Sequence, residues 1–526
     1  MQKNNVLKVP IKCEKGDGML SLRRPVEAGE MLINPSYDRL REIAGNEEKT
    51  TVYGSPGYIS KVRNRSAKFT YIVEDGAPLG VDQQGISLEK ARSVADSVYA
   101  YLKQAQLIRM DRQMGTHADF KLHCRLYITA KYARIPLKWR QMLFESPDPE
   151  GDPDLISIYI PEWPEKIIFC HPEERITFIL GTDYFGEAKK SFLRMAMYLC
   201  KKAGGLGLHA GSKLLRVRNG SGDIRETGVI MFGLSGTGKT TLTMHNHGLA
   251  SPETVFIRQD DVVMMRPDGY CYGTENGFYI KTEGLDESQA VLYHAAISPT
   301  AIFENVMITE NGQVQFDNAD LTSNGRGVIL RSKVENTDGE IDLKKADRII
   351  FITRRNDIVP PVAKLTPRQG AAYFMLGESI ETSAGDPTMA GHSKREVGTN
   401  PFIVGPEAEE GNRLLDILNN NPDMECYLLN TGSVGAGNGS PGTKITIGVS
   451  TGILREISRG SISWKTDPDW GYLVPEEIPG IDLKPYSPEL YYTPGEYRQL
   501  VDNLRQERVQ WLGKYPGLKK EILQTV

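Results

Sequence analysis

Gly233-Leu234-Ser235-Gly236-Thr237-Gly238-Lys239-Thr240 is the stretch on which the reading of this chain turns. It fits G-x-x-x-x-G-K-[S/T], in which glycines let backbone N–H groups turn toward phosphate oxygens, the lysine reaches the outer phosphates and the hydroxyl ligates Mg²⁺. A pattern this short recurs by chance, so its flanks must decide. Residues 228–232 (G-V-I-M-F) form an apolar run of buried-strand type, and Thr241-Leu242-Thr243 continues into a helix. The loop is therefore expected at a strand-to-helix turn, with phosphates at the helix N-terminus.

At 526 residues the chain is too long for one small core, and length alone suggests roughly two to four domains. The net charge of −4 comes from interspersed acidic and basic residues with no long Lys/Arg block, which argues against a nucleic-acid surface. No apolar run reaches the roughly eighteen residues of a membrane span, and residues 1–13 lack the apolar core of a signal peptide. The six cysteines include no C-x-x-C pair, so reduced thiols in a cytoplasmic protein are expected in preference to disulfides or a zinc site.

Upstream of the loop, Arg63-Asn64-Arg65-Ser66-Ala67-Lys68 feeds a β-type stretch and suits an anion site or a solvated surface loop. Residues 86–107 show helical spacing, and 126–130, 155–160, 166–169 and 176–180 read as short strands of a mixed sheet. Residues 191–202 follow as a helix with one apolar face and Lys190 at its first turn. A lysine there opposes the helix dipole, so its amine is expected to have a partner. His209 lies in a glycine-rich strand (204–212) that a ligand could approach closely. Downstream, the strand 254–257 ends at Gln259-Asp260-Asp261, an acidic pair where a carboxylate contact to a metal belongs. Strands are also expected at 306–309, 348–353, 426–430 and 444–447. Long loops at 383–401 and 430–443 suit lids or binding elements, and a helix over 494–522 carries Tyr497, Leu500, Leu504 and Val509.

With Lys190, His209, the phosphate-binding loop and Asp261 in this order, the chain resembles the ATP-dependent phosphoenolpyruvate carboxykinases. Further similar stretches are Arg65-Ser66, 184–190, 275–282 (E-N-G-F-Y-I-K-T), Glu304-Asn305-Val306, Arg326, 360–366 (P-P-V-A-K-L-T) and Asn430-Thr431-Gly432. The resemblance implies a two-domain α/β fold, with an N-terminal substrate-binding domain (1–210), a C-terminal P-loop domain (211–526) and the active site in the cleft between them. It implies a reversible reaction of oxaloacetate and ATP to phosphoenolpyruvate, CO₂ and ADP, in a gluconeogenic or anaplerotic role.

Carried over residue by residue, the resemblance gives catalytic roles to Arg65, Tyr184, Lys190, Ser235, Lys239 and Arg326. Nucleotide binding would fall to Gly233, Leu234, Ser235, Gly236, Thr237, Gly238, Lys239, Thr240 and Thr241, with Lys281, Arg326, Lys444 and Ser450. Lys190, His209 and Asp261 would hold Mn²⁺; Thr240, beside Asp260, would hold the Mg²⁺ of the nucleotide. A lysine binds a cation only through its neutral amine, although the ordinary lysine pKa is about 10.4. The surroundings depart from the family's wording. Asn64 replaces a glycine beside Arg65, Val262-Val263-Met264-Met265 follow the acidic pair, and Lys444 stands for an arginine. Two competing readings are a relative that phosphorylates another small acid or uses another phosphoryl donor, and a nucleotide-binding regulator without turnover.

Overall fold

The computed structural model describes residues 21–75, 78–380, 392–437 and 439–526. Cys13, the turn signal at 16–18 and residues 383–391 of the first long loop lie outside the described residues. The chain is mixed α/β and divides into two compact units, each assembled from separated stretches of sequence. The first takes in the chain up to Ala203 with Tyr272–Glu335 and Phe402–Gly405; the second takes in Gly204–Cys271, Asn336–Pro401 and Pro406–Val526.

In the first unit a large sheet has the strand order Glu30–Ile33, Gln106–His117, Phe120–Thr129, Leu155–Ile160, Ile176–Leu180, Ile167–His171, Thr70–Glu74, Gly85–Ser87. The run L-I-S-I-Y-I is buried at every position, as a strand covered on both faces must be. The helix Leu88–Leu102 packs on this sheet through Ala91, Val94, Ala95, Val98 and Leu102, spaced by three or four residues, against Ile158, Phe169 and Phe178. Each such large apolar side chain contributes about 1.5–3 kcal/mol by leaving water.

Helix α1 (Phe185–Lys202) starts six residues before the expected 191, which moves Lys190 from the first turn to the second. The Phe185 N–H donates to Glu304 Oε1 at 3.2 Å, and that buried carboxylate also receives Lys138 Nζ at 2.5 Å and the Tyr279 hydroxyl at 2.9 Å. Negative charge at the helix start thus comes from another strand as well as from Glu187 in the first turn, and the former is a long-range contact that local spacing does not encode. A smaller sheet pairs Gly277–Lys281 with Arg326–Leu330 and the latter with Ile302–Glu304, so that Arg326 stands opposite both Lys281 and Glu304.

In the second unit the relevant elements are β1 (Ala210–Arg218), β2 (Ile224–Gly233), α2 (Lys239–Met244), β3 (Thr254–Gln259), β4 (Arg348–Thr353), α3 (Pro367–Leu376) and β5 (Glu425–Asn430). The sheet runs β3-β1-β2-β4-β5 and continues through Val362–Leu365, Leu473–Glu477 and Ser463–Thr466. Because β2, β4 and β5 are parallel, Gly233, Thr353 and Asn430 end on one edge. β1 runs antiparallel to both β2 and β3, pairing Ala210 with Phe232 and Ser212 with Gln259, so His209 and Asp260-Asp261 reach that same edge. Gly211 permits the approach of α2, since a Cβ there would fall 2.2 Å from Thr243 Oγ1.

Three expectations fail here. The apolar run 444–447 is not a strand: Thr446 caps the helix Ile447–Arg459 by accepting from the Val449 N–H at 3.3 Å. A Thr three residues before a backbone donor overrides a short β-type run. The 430–443 loop contains a hairpin, Ser433–Gly437 with Ser440–Lys444. The last long helix stops at Leu512, and Val509 on it is 48% exposed.

Candidate functional site

On the sheet edge of the second unit the phosphate-binding loop joins β2 to α2 at the expected strand-to-helix turn. Gly236 and Gly238 take φ values of 84° and 90°, which side chains rarely adopt. Two neighbouring strand ends brace the loop from outside: Arg354 Nη1 donates to the Gly236 carbonyl at 3.0 Å, and Thr431 Oγ1 to the Thr237 carbonyl at 2.8 Å. A trans peptide points its N–H opposite its C=O, so engaging the Thr237 carbonyl turns the Gly238 N–H the other way. Thr237 Oγ1 closes the loop internally on the Leu234 carbonyl at 2.8 Å, while Ser235 stays exposed.

Beside this loop the structure gathers the expected cation-binding groups of the same unit. His209 Nε2 lies 3.0 Å from Asp261 Oδ1 and 3.4 Å from Lys239 Nζ, and Thr240 Oγ1 lies 3.4 Å from Asp260 Oδ2. An imidazole nitrogen with a carboxylate suits a borderline divalent ion, whereas a hydroxyl with a carboxylate is the oxygen-only set that Mg²⁺ prefers. Among the described residues no three His, Cys, Asp or Glu side chains converge as a metal cage. Lys444 is exposed and Ser450 is buried inside its helix; among the described residues neither bonds to the loop.

In the first unit, Asp183 accepts the N–H groups of Lys61 and Val62 at 2.9 and 2.8 Å, and Glu187 Oε1 accepts that of Ser66 at 2.6 Å. These bonds pin the basic segment to the start of α1. The guanidinium carbon of Arg65 and the amine of Lys190 consequently lie over one ring, Phe402, at 4.4 and 4.7 Å from its centroid, with buried Arg194 at 5.8 Å. Two guanidinium groups and the Lys190 amine thus gather around one apolar ring. Close to α1, Asn324 Oδ1 accepts from Arg326 Nη2 at 2.7 Å, and its amide donates to the Tyr184 hydroxyl at 3.2 Å. Arg326 also stacks over Tyr279. Burial, reinforced by the Glu304 carboxylate, pushes that phenol well above its usual range and keeps it neutral. Lys281 pairs with Glu283 next to Arg326.

Asn324, Phe402, Arg194, Arg354 and Thr431 escaped the sequence reading as site residues. Asn324 sits in S-N-G-R, which looks like a turn, and Phe402 follows a proline in what reads as loop. Arg354 and Thr431 carry one usable signal: both stand immediately after strands parallel to the one that ends in the loop.

A family model described as phosphoenolpyruvate carboxykinase matches residues 29–484. A protein of Aeropyrum pernix called phosphoenolpyruvate carboxykinase (ATP) is 35% identical over 432 residues, which cover 81% of this chain and 84% of that protein. Proteins of the same name from Parvibaculum lavamentivorans and Sinorhizobium fredii are 29% and 28% identical, and cover 81% and 83% of this chain and 80% and 83% of their own lengths.

Proposed function

The chain belongs to the phosphoenolpyruvate carboxykinase family in its ATP-using form, and from that membership we infer that it is an enzyme interconverting oxaloacetate and ATP with phosphoenolpyruvate, CO₂ and ADP. In the forward direction the C–C bond to the departing carboxylate breaks and its electron pair forms an enolate. The enolate oxygen then bonds to the γ-phosphorus as the bond to the β-phosphate oxygen breaks. Both steps gather negative charge, so catalysis rests on placed cations more than on covalent chemistry.

We assign acid binding to the first unit, which holds Arg65, Tyr184 and Arg326, and nucleotide binding to the second, which holds the phosphate-binding loop. Arg65, beside Lys190, would clamp a substrate carboxylate, while Tyr184 and Arg326, oriented through Asn324, would hold the enolate oxygen. Ser235 and the backbone of the 233–241 loop would cradle the phosphates, with Lys239 facing the transferring group. Lys281, Lys444 and Ser450 would stand at the nucleotide by their place in the family pattern, with Lys444 offering an ammonium where the family has an arginine. His209, Asp261 and Lys190 are the residues that would hold Mn²⁺, and Thr240 with Asp260 those that would hold Mg²⁺. A divalent ion there supplies Lewis acidity toward the phosphoryl oxygens.

The observation that carries this reading is the meeting of the phosphate-binding loop with His209, Asp260 and Asp261 on one sheet edge. Purified protein with oxaloacetate, ATP, Mg²⁺ and Mn²⁺ should release phosphoenolpyruvate and ADP; neither product, across several nucleotides, is the result that sinks the reading.

Two further outcomes separate the roles. Arg65→Lys keeps the charge but loses the forked donor, so kcat/KM for oxaloacetate should drop by about 10–100-fold, the worth of one charge-assisted hydrogen bond, with little change in KM for ATP. Wild-type kinetics would take Arg65 out of the site. Lys190→Ala should weaken Mn²⁺ binding in the absence of nucleotide, followed by the paramagnetic signal of the free ion. Unchanged or tighter binding would make Lys190 a neighbouring charge and not a ligand.

A further inference from the structure

The side of His209 turned away from Asp261 meets the backbone of a strap, residues 396–400, in the same unit. His209 Nδ1 lies 2.5 Å from the carbonyl oxygen of Thr399. A carbonyl only accepts, so Nδ1 must carry a hydrogen, and in the neutral ring Nε2 keeps its lone pair. Nε2 lies 3.0 Å from Asp261 Oδ1, a second acceptor that draws a proton to that nitrogen, and 3.4 Å from Lys239 Nζ, a donor to a bare Nε2, so the Thr399 carbonyl and the lysine act together against the carboxylate in setting the tautomer.

Thr399 occupies this place at a local cost. It is β-branched and yet has φ of 49°, and its buried Oγ1 has no hydrogen-bond partner among the described residues. Packing imposes that conformation. The Gly377 carbonyl, just after α3, accepts the Glu396 N–H at 3.3 Å, and a Cβ on Gly377 would fall 1.6 Å from the Glu396 oxygen. Gly398, at φ 60°, lies on the Phe374 ring of α3, which a Cβ would meet at 2.7 Å. The Thr399 N–H closes on the Glu396 carbonyl at 2.8 Å. Two glycines and a ring thus hold one carbonyl in a set direction, at a residue type that resists the required backbone.

We propose that the strap is a positioning element for His209: through the Thr399 carbonyl it selects the Nδ1–H tautomer and aims Nε2 toward Asp261. This rests on the reading of His209 as a cation ligand only for its consequence, since the tautomer itself is a property of the protein without metal. Outer hydrogen bonds of this kind fix ligand orientation, and their loss costs about 10–100-fold in metal affinity.

The test uses the full-length metal-free protein with ring-¹⁵N histidine, at a pH where the imidazoles are neutral, with His209→Gln to assign one of eight histidines. Wild type should carry the His209 proton on Nδ1, and so should Thr399→Gly, which keeps the carbonyl and accepts the backbone angle. Gly377→Ala should give mixed tautomers and Mn²⁺ binding weakened by about 10–100-fold. Gly398→Ala, displaced by the Phe374 ring, supplies the same comparison if the first variant does not fold. A wild-type proton on Nε2, or an unchanged Nδ1–H signal in a folded Gly377→Ala or Gly398→Ala protein, overturns the proposal. His209→Ala with wild-type Mn²⁺ affinity would instead remove the ligand role and leave the tautomer result standing.

Discussion

Replacing Lys239 by Met is expected to lower kcat on the order of a thousandfold or more, with the thermal transition almost unmoved. Removing one preorganised donor from a site of developing charge costs about 10²–10³ in kcat, and a P-loop lysine faces the group on which that charge changes most. Met keeps the unbranched stem and has nearly the helix propensity of Lys, so α2 should form as before. KM for ATP should change less than kcat, because an interaction made chiefly in the transition state appears in turnover and not in ground-state binding. Lys239→Arg should not rescue, since a planar fork cannot replace a compact ammonium whose Nζ sits 3.4 Å from His209 Nε2. Turnover within tenfold of wild type at saturating ATP, oxaloacetate, Mg²⁺ and Mn²⁺ would show that the loop does not hold the transferring phosphate.

Why the loop and its neighbours could be read from sequence follows from where their information lies. The strand before the loop, the helix after it and the acidic pair at the end of β3 are each encoded within a few residues, by apolar runs and by glycines that need φ above zero. Long parallel-sheet strands such as 348–353 are legible for the same reason. What stayed hidden depends on contacts distant in sequence. Asn324 acquires its role only when Tyr184 and Arg326 meet it, 140 and 2 residues away. Glu304 sets the start of α1 from 119 residues away, which is why the onset at Phe185 escaped a reading of local spacing. The segment 444–447 misled because β-type composition and an N-cap threonine compete over the same four residues. The Thr399 carbonyl is hidden more deeply, since backbone groups leave no mark in residue identity; the only trace is the pair Gly377 and Gly398 that its placement demands.

The stability of that arrangement should depend most on a carboxylate that touches no substrate. Glu378 follows Gly377 and pairs in register with Arg395, on the strand leading into the strap. Its side chain, 1% exposed, receives Arg508 Nη2 at 2.5 Å and Arg395 Nη2 at 3.0 Å, and Arg508 is equally buried between the Trp470 and Tyr373 rings. Burial opposes ionisation of Glu378, but Arg508, then Arg355 and Arg395, outweigh it and hold the carboxyl well below the usual range. A depressed acid contributes stability that is full above its unfolded pKa of about 4.5 and is lost as pH falls through the folded value. Glu378→Ala should therefore destabilise the second unit by about 3–5 kcal/mol at neutral pH, because Arg508 would be left buried without its carboxylate. Denaturation of the full chain, followed by tryptophan emission, should show the deficit shrinking below pH 4.5, where the unfolded wild type takes up a proton that the folded carboxyl resists. Glu378→Met with Arg508→Leu should recover most of the loss, since an apolar pair needs no counter-charge. If Glu378→Ala costs less than about 1 kcal/mol, the level of an exposed pair, the cluster is not the anchor of the strap. If it costs the full amount, the His209 tautomer in the folded variant should weaken together with the transition, because the same strand carries both.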